Sequence, residues 1–154
     1  MTDTSPKDLT TLLGAVRETG RARELPYAGD IDPGDAWQLV NGGRAVLVDV
    51  RSAEELKFVG RVPGSVHIPW ATGLALTANA RFLEELQARV NPGDVVVFLC
   101  RSGKRSVSAA TVATRAGYPD AYNILEGFEG DVDAHRHRGH LNGWRHRDLP
   151  WEQD

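Results

Sequence analysis

Apolar residues along the chain follow two alternating rhythms, a three-and-four spacing and short unbroken runs, and their alternation predicts helices and strands in turn. Leu9, Leu12, Leu13 and Val16 recur at helical spacing, with Ser5 placed to cap and Pro6 at the first helical position. An amphipathic N-terminal helix stopped by Gly20 is predicted, its apolar stripe packed on the domain, and residues 21–29 read as a linker. Asp32-Pro33 opens a second helix through Ala36, Trp37, Leu39 and Val40, closed by Asn41-Gly42-Gly43. The run 45–50, apolar but for Asp49, predicts a strand buried on both faces. Ser52 with Glu55 three residues on fits a capping box, so a short helix through Leu56 and Phe58 follows, ending near Gly60.

Val62-Pro63-Gly64 reads as a turn and 65–68 as a short strand stopped by Pro69. Asn79 is placed to cap a helix carrying Phe82, Leu83, Leu86 and Val90, which Asn91-Pro92-Gly93-Asp94 terminates. A strand rich in β-branched residues then runs into Cys100, and a helix of small residues (Val107, Ala109, Ala110, Val112, Ala113, Ala116) follows the loop after it. Tyr118-Pro119-Asp120 turns the chain into a last strand at 121–125. Strands alternating with helices imply right-handed crossovers, hence an α/β fold with a parallel sheet of about five strands covered by helices on both faces. Three segments are expected: an N-terminal helix and linker (1–29), the domain proper (30–130), and a His/Arg-rich C-terminal extension (131–154) packed on it through Trp144 and Trp151.

At 154 residues and 41% hydrophobic content the chain suits one domain with one ordinary core. A net charge of −3 argues against nucleic acid or an anionic membrane as partner. The single cysteine excludes an intramolecular disulfide, nothing in 1–27 reads as a secretory h-region or membrane span, and Asp3, Asp8, Glu18 and Glu24 are unlike a transit peptide. A cytoplasmic setting is therefore expected. In the tail, His135, His137 and His140 raise the question of a metal, but no cysteine is near and the interleaved arginines repel a cation, so no metal is expected.

The basic stretch Cys100-Arg101-Ser102-Gly103-Lys104-Arg105-Ser106 stands out in this mildly acidic chain. A thiol at the C-terminal end of a buried strand sits where open parallel sheets put their ligand crevices. Loop N–H groups, the positive end of the next helix and the cations of Arg101, Lys104 and Arg105 all favour thiolate over thiol. Gly103 permits the positive φ that a loop folding its amides inward requires. The turn reads as an anion cradle with a nucleophile at its base.

Two motifs then stand in order: Asp49-Val50-Arg51 with Glu54, Glu55 and Gly60-Arg61-Val62-Pro63-Gly64-Ser65-Val66-His67-Ile68-Pro69, and the Cys100 loop. On these the chain resembles a single-domain rhodanese, a sulfurtransferase, over about residues 30–130. Gly143-Trp144 to Leu149-Pro150 looks like the family's closing segment, displaced by an insertion after Gly130. Arg61, Val62 and Ser65 depart from the family's usual Gly-His-Ile-Pro-Gly-Ala. The resemblance implies a rhodanese-like fold without cofactors, in which Cys100 takes sulfane sulfur from a small anionic donor such as thiosulfate and passes it to cyanide or a thiol. The acceptor thiol includes a thioredoxin-like or other acceptor protein, because the chain has no second cysteine. Loop residues 101–106 would bind the donor, with Asp49 and Arg51 as support: Arg51 paired with Glu54 or Glu55, Asp49 steadying the Cys100 loop. His67 reads as a packed structural histidine.

Two other classes compete with this one. A non-catalytic module would use the fold to carry or sense a persulfide, or to bind a partner. A phosphatase or arsenate reductase would attack a tetrahedral oxyanion, but its pattern has five residues between cysteine and arginine, whereas Cys100 to Arg105 leaves four.

Overall fold

The computed structural model describes residues 6–154, with side chains from Leu9 onward, so the cap expected at Ser5 lies outside the described residues. Among these residues five helices and seven strands follow in the order α1 Pro6–Ala22, β1 Gly29–Ile31, α2 Pro33–Asn41, β2 Val46–Asp49, α3 Ala53–Val59, β3 Val66–His67, β4 Ala71–Thr72, β5 Thr77–Ala78, α4 Phe82–Arg89, β6 Val96–Leu99, α5 Lys104–Arg115 and β7 Ala121–Ile124. The main sheet has the order β1-β7-β6-β2-β3, every neighbouring pair parallel. β6 lies in the middle, and all its residues are buried, as its unbroken Val-Val-Phe-Leu composition requires. Among the described residues no helix is long and apolar enough to cross a membrane.

Each face of the sheet has its own apolar layer. Val48, Val96, Phe98 and Ala121 pack with Phe82 and Leu86 of α4 and Ala109, Ala110 and Ala113 of α5. On the other face Leu47, Val97, Leu99 and Tyr122 meet Leu9 of α1, Ala36 and Leu39 of α2, and Trp144 of the tail. The alanine row of α5 is fully buried, which lets this helix lie close above the strand that carries the cysteine.

Three sequence expectations need correction. Gly20 does not stop α1, which continues to Ala22; a Cβ there would lie 2.3 Å from the Ala28 carbonyl oxygen, so the glycine serves a close chain crossing. The 21–29 linker runs directly into β1, an edge strand pairing Asp30 with Asn123, whose Gly-Asp-Ile composition carries no strand pattern. Asn79 does not cap α4. Its Oδ1 accepts the Arg81 N–H at 3.0 Å and its Nδ2 donates to Pro69 O and Glu85, so it ties the preceding loop while the helix begins at Phe82. Ahead of it, β4 and β5 form an unforeseen antiparallel hairpin.

Candidate active site

β6 delivers Cys100 to the sheet's C-terminal edge, and the chain turns over the thiol before entering α5. Gly103, at φ 112°, makes that turn and aims its N–H at Cys100 Sγ, 3.1 Å away. The Ser106 hydroxyl, from the first turn of α5, lies 3.2 Å from Sγ on the buried side. Cys100 is only 1% exposed as a residue, yet it lines a cavity of about 180 Å³ with Leu76, Arg101, Ser102, Lys104 and Arg105. A small molecule therefore has room above the sulfur, with positive charge around the opening.

The three cations are not equivalent. Arg105 donates both terminal nitrogens to Glu55, at 2.7 and 2.9 Å. Burial works to raise the Glu55 carboxyl, but the Arg105 guanidinium and the Ser52 N–H outweigh it and bring the group down to about 2. The pair is thus ionised, and Arg105 reaches the cavity with its charge largely compensated. Arg101 and Lys104 are exposed and, among the described residues, have no carboxylate partner. Glu55 also completes the capping box of α3, accepting the Ser52 N–H at 3.1 Å. It was legible as a cap, but its role as the partner of Arg105, 50 residues away, was not.

Arg51 does not pair with Glu54 or Glu55. Its guanidinium is fully buried and turned back on Asp49, with Nε 3.0 Å and Nη2 2.8 Å from the carboxylate oxygens, while Nη2 also donates to Gly60 O. A two-residue separation on one strand end puts both side chains on the same face, so the nearest carboxylate wins over the two on α3. Asp49 is consumed by this contact and by the Arg51 N–H at 3.0 Å, and no hydrogen bond from it to the Cys100 loop is present among the described residues. His67 Nε2 lies 2.7 Å from Arg51 O, a packed structural contact.

The loop is instead held by the segment after β7. Phe128 N–H donates to Cys100 O at 2.8 Å, and the N–H groups of Glu129 and Gly130 donate to Arg101 O. Gly127, at φ 72°, passes so close that a Cβ would lie 2.4 Å from the Arg101 carbonyl. Arg51 stacks on Phe128, 4.1 Å from the ring centroid, and so packs against the residue whose N–H holds Cys100 O. In sequence this stretch reads simply as the exit from the last strand; its two glycines were the available signal.

The tail packs through Trp144, which is fully buried and donates its Nε1–H to Pro150 O, while Trp151 meets Phe128 edge to face. Asp133, His137 and His140 come together with their donor atoms within 4.8 Å of one another; Asp133 Oδ1 already accepts the His135 and His137 N–H groups and closes the turn.

A family model for the rhodanese-like domain matches residues 32–134. The chain is 36% identical over 116 residues to an uncharacterized protein of Rickettsia prowazekii, covering 74% of this chain and 88% of that one. It is 33% identical over 107 residues to thiosulfate sulfurtransferase 18 of Arabidopsis thaliana, covering 67% and 77%. Among solved structures, Rv0390 from M. tuberculosis matches with a TM-score of 0.75 and 50% identity over 83% of this chain and 99% of the other. The cysteine loop at the end of the central parallel strand and these matches agree: the chain belongs to the rhodanese-like domain family.

Proposed function

We propose that this protein is a sulfurtransferase that moves a sulfane sulfur from a small anionic donor, thiosulfate or a persulfide, through a Cys100 persulfide to cyanide or a thiol. The observation that carries this reading is Cys100 Sγ at the floor of a cavity ringed by Arg101, Lys104 and Arg105. The Cys100 thiolate attacks the outer sulfur of the donor, an S–S bond forms, and the donor's own S–S bond breaks with its electron pair leaving on sulfite. The exposed Arg101 and Lys104 draw the dianion in and steady the departing sulfite. In the second half, cyanide or an acceptor thiolate attacks the outer sulfur and the Cys100 thiolate leaves, restored. The acceptor comes from outside, because no second cysteine exists to resolve the persulfide.

Intact-mass spectrometry after thiosulfate treatment tests the reading. One added sulfur on the wild type and none on Cys100→Ser, with turnover lost in the variant, is expected. An unmodified wild type, or full turnover by the variant, refutes it.

A further inference from the structure

Behind Cys100, away from the cavity, an unbroken chain of polar side chains crosses the sheet edge. Ser106 Oγ, 3.2 Å from Sγ, donates to Asn123 Oδ1 at 2.5 Å. Asn123 Nδ2 donates to Asp30 Oδ1 at 2.9 Å, and the same carboxylate accepts from Tyr27 OH at 2.7 Å and Arg23 at 3.0 Å. The β1–β7 register sets Asp30 directly beside Asn123. Cys100, Ser106 and Asn123 are all buried, so the polarity of each bond matters.

We propose that Asn123, its amide oriented by Asp30, is a positioning residue that fixes the direction of the Ser106 hydroxyl and through it governs the proton on Cys100. The Asp30 carboxylate, which already takes Tyr27 OH and Arg23, only accepts and cannot face an amide oxygen, so Asn123 presents its NH₂ to Asp30 and its oxygen to Ser106. Ser106 has one proton, and Asn123 Oδ1 takes it. A lone pair of Ser106 then faces Cys100, where it accepts from the thiol S–H. To donate to a thiolate the hydroxyl must rotate and leave Asn123 Oδ1 buried without a donor, so Asn123 favours the arrangement in which the sulfur keeps its proton. The inference rests on Cys100 acting as the nucleophile.

The charged groups around the sulfur are Arg101 of the loop, Lys104 and Arg105 of α5, Glu55 of α3 and the Asp49–Arg51 pair of β2, with Asp30 of β1 behind Asn123. Asn123→Leu, which is close in size and removes the acceptor, leaves the groups of the loop, α3, α5 and β2 unchanged and takes one donor from Asp30, an effect common to the wild-type and Ser106→Ala backgrounds.

The test is the pH profile of iodoacetamide alkylation at Cys100, followed by mass in a chain with one cysteine. Asn123→Leu is expected to move the midpoint down by about one pH unit, so alkylation below the midpoint is about tenfold faster. In the Ser106→Ala background the same substitution is expected to move nothing. An unmoved midpoint, or an equal shift in both backgrounds, overturns the proposal. If circular dichroism shows Asn123→Leu unfolded, Asp30→Asn replaces it: the Asn123 amide is freed to turn over, and the acid shift must again require Ser106. The direct effect of the lost charge is common to both backgrounds and cancels in their difference. Alkylation needs no sulfur donor, so a protein that fails to load sulfur but shows the predicted shifts separates this inference from the proposed function.

Discussion

Replacing Glu55 by Gln has opposite consequences for stability and for donor binding, and both follow from one ion pair. Glu55 accepts the two Arg105 bonds and the Ser52 N–H, and its carboxyl is brought from 4.5 down to about 2. A shift of that size is an upper bound of about 3 kcal/mol, which solvent screening of a partly exposed pair reduces to about 1–2 kcal/mol. Because the folded value lies below the unfolded one, this stability is fully present above the unfolded value and is lost as pH falls through 4.5 toward 2. The assay is urea denaturation of wild type and Glu55→Gln at pH 7 and again near pH 3. The variant is expected to be less stable by about 1–2 kcal/mol at pH 7, and by about half that or less near pH 3. Donor binding moves the other way. Without Glu55 the Arg105 charge at the cavity is uncompensated, so the KM for thiosulfate is expected to fall at low ionic strength and to return to the wild-type value in about 0.5 M salt. A stability difference independent of pH, or a KM that rises, refutes the assignment of Arg105 as a neutralised cation.

Lys104→Gln removes an exposed cation that has no carboxylate partner among the described residues, so steady-state kinetics are expected to show a thiosulfate KM about two- to fivefold higher and a weaker dependence on salt. Gly127→Ala places a methyl group within 2.4 Å of Arg101 backbone at a positive φ, and thermal unfolding is expected to report a loss of about 1–3 kcal/mol. Because the clash falls on the Cys100 loop, sulfur loading of the folded Gly127→Ala protein is expected to drop as well, read by intact mass.

The part of the site written in contiguous residues was legible. β6, Cys100, Gly103 and the small residues of α5 follow one another, so a buried apolar run, a glycine needing positive φ and an alanine-rich face specify the turn locally. The Ser52–Glu55 box was legible for the same reason. What stayed hidden depends on sheet order and register. Arg105 meets Glu55 across 50 residues because β2 and β6 are neighbours, and Asn123 meets Asp30 across 93 because β1 pairs with β7. Neither pairing leaves a periodic trace. The partner of Arg51 was misread because three carboxylates lie within a few residues of it, and sequence distance does not say which one shares its face.

The tail packs on the segment that holds the Cys100 loop, and its contacts show how. Gly130 and Gly143 lie so close that a Cβ on Gly143 would sit 2.6 Å from Gly130 N, so residues 131–142 leave and rejoin the chain at one point. On the far side Trp144 N–H donates to Gly127 O and Arg145 N–H to Phe128 O, which brackets the segment that holds Cys100 O and Arg101 O. The segment from Trp144 therefore clamps the clamp, ahead of which residues 131–142 form a loop. Its Arg138 returns, donating to Gly130 O at 2.7 Å and lining a groove of about 360 Å³ with Arg101, Phe58 and Leu74. Arg101 and Leu76 border both this groove and the Cys100 cavity, so the loop places a second guanidinium, beside that of Arg101, along the groove that adjoins the cavity.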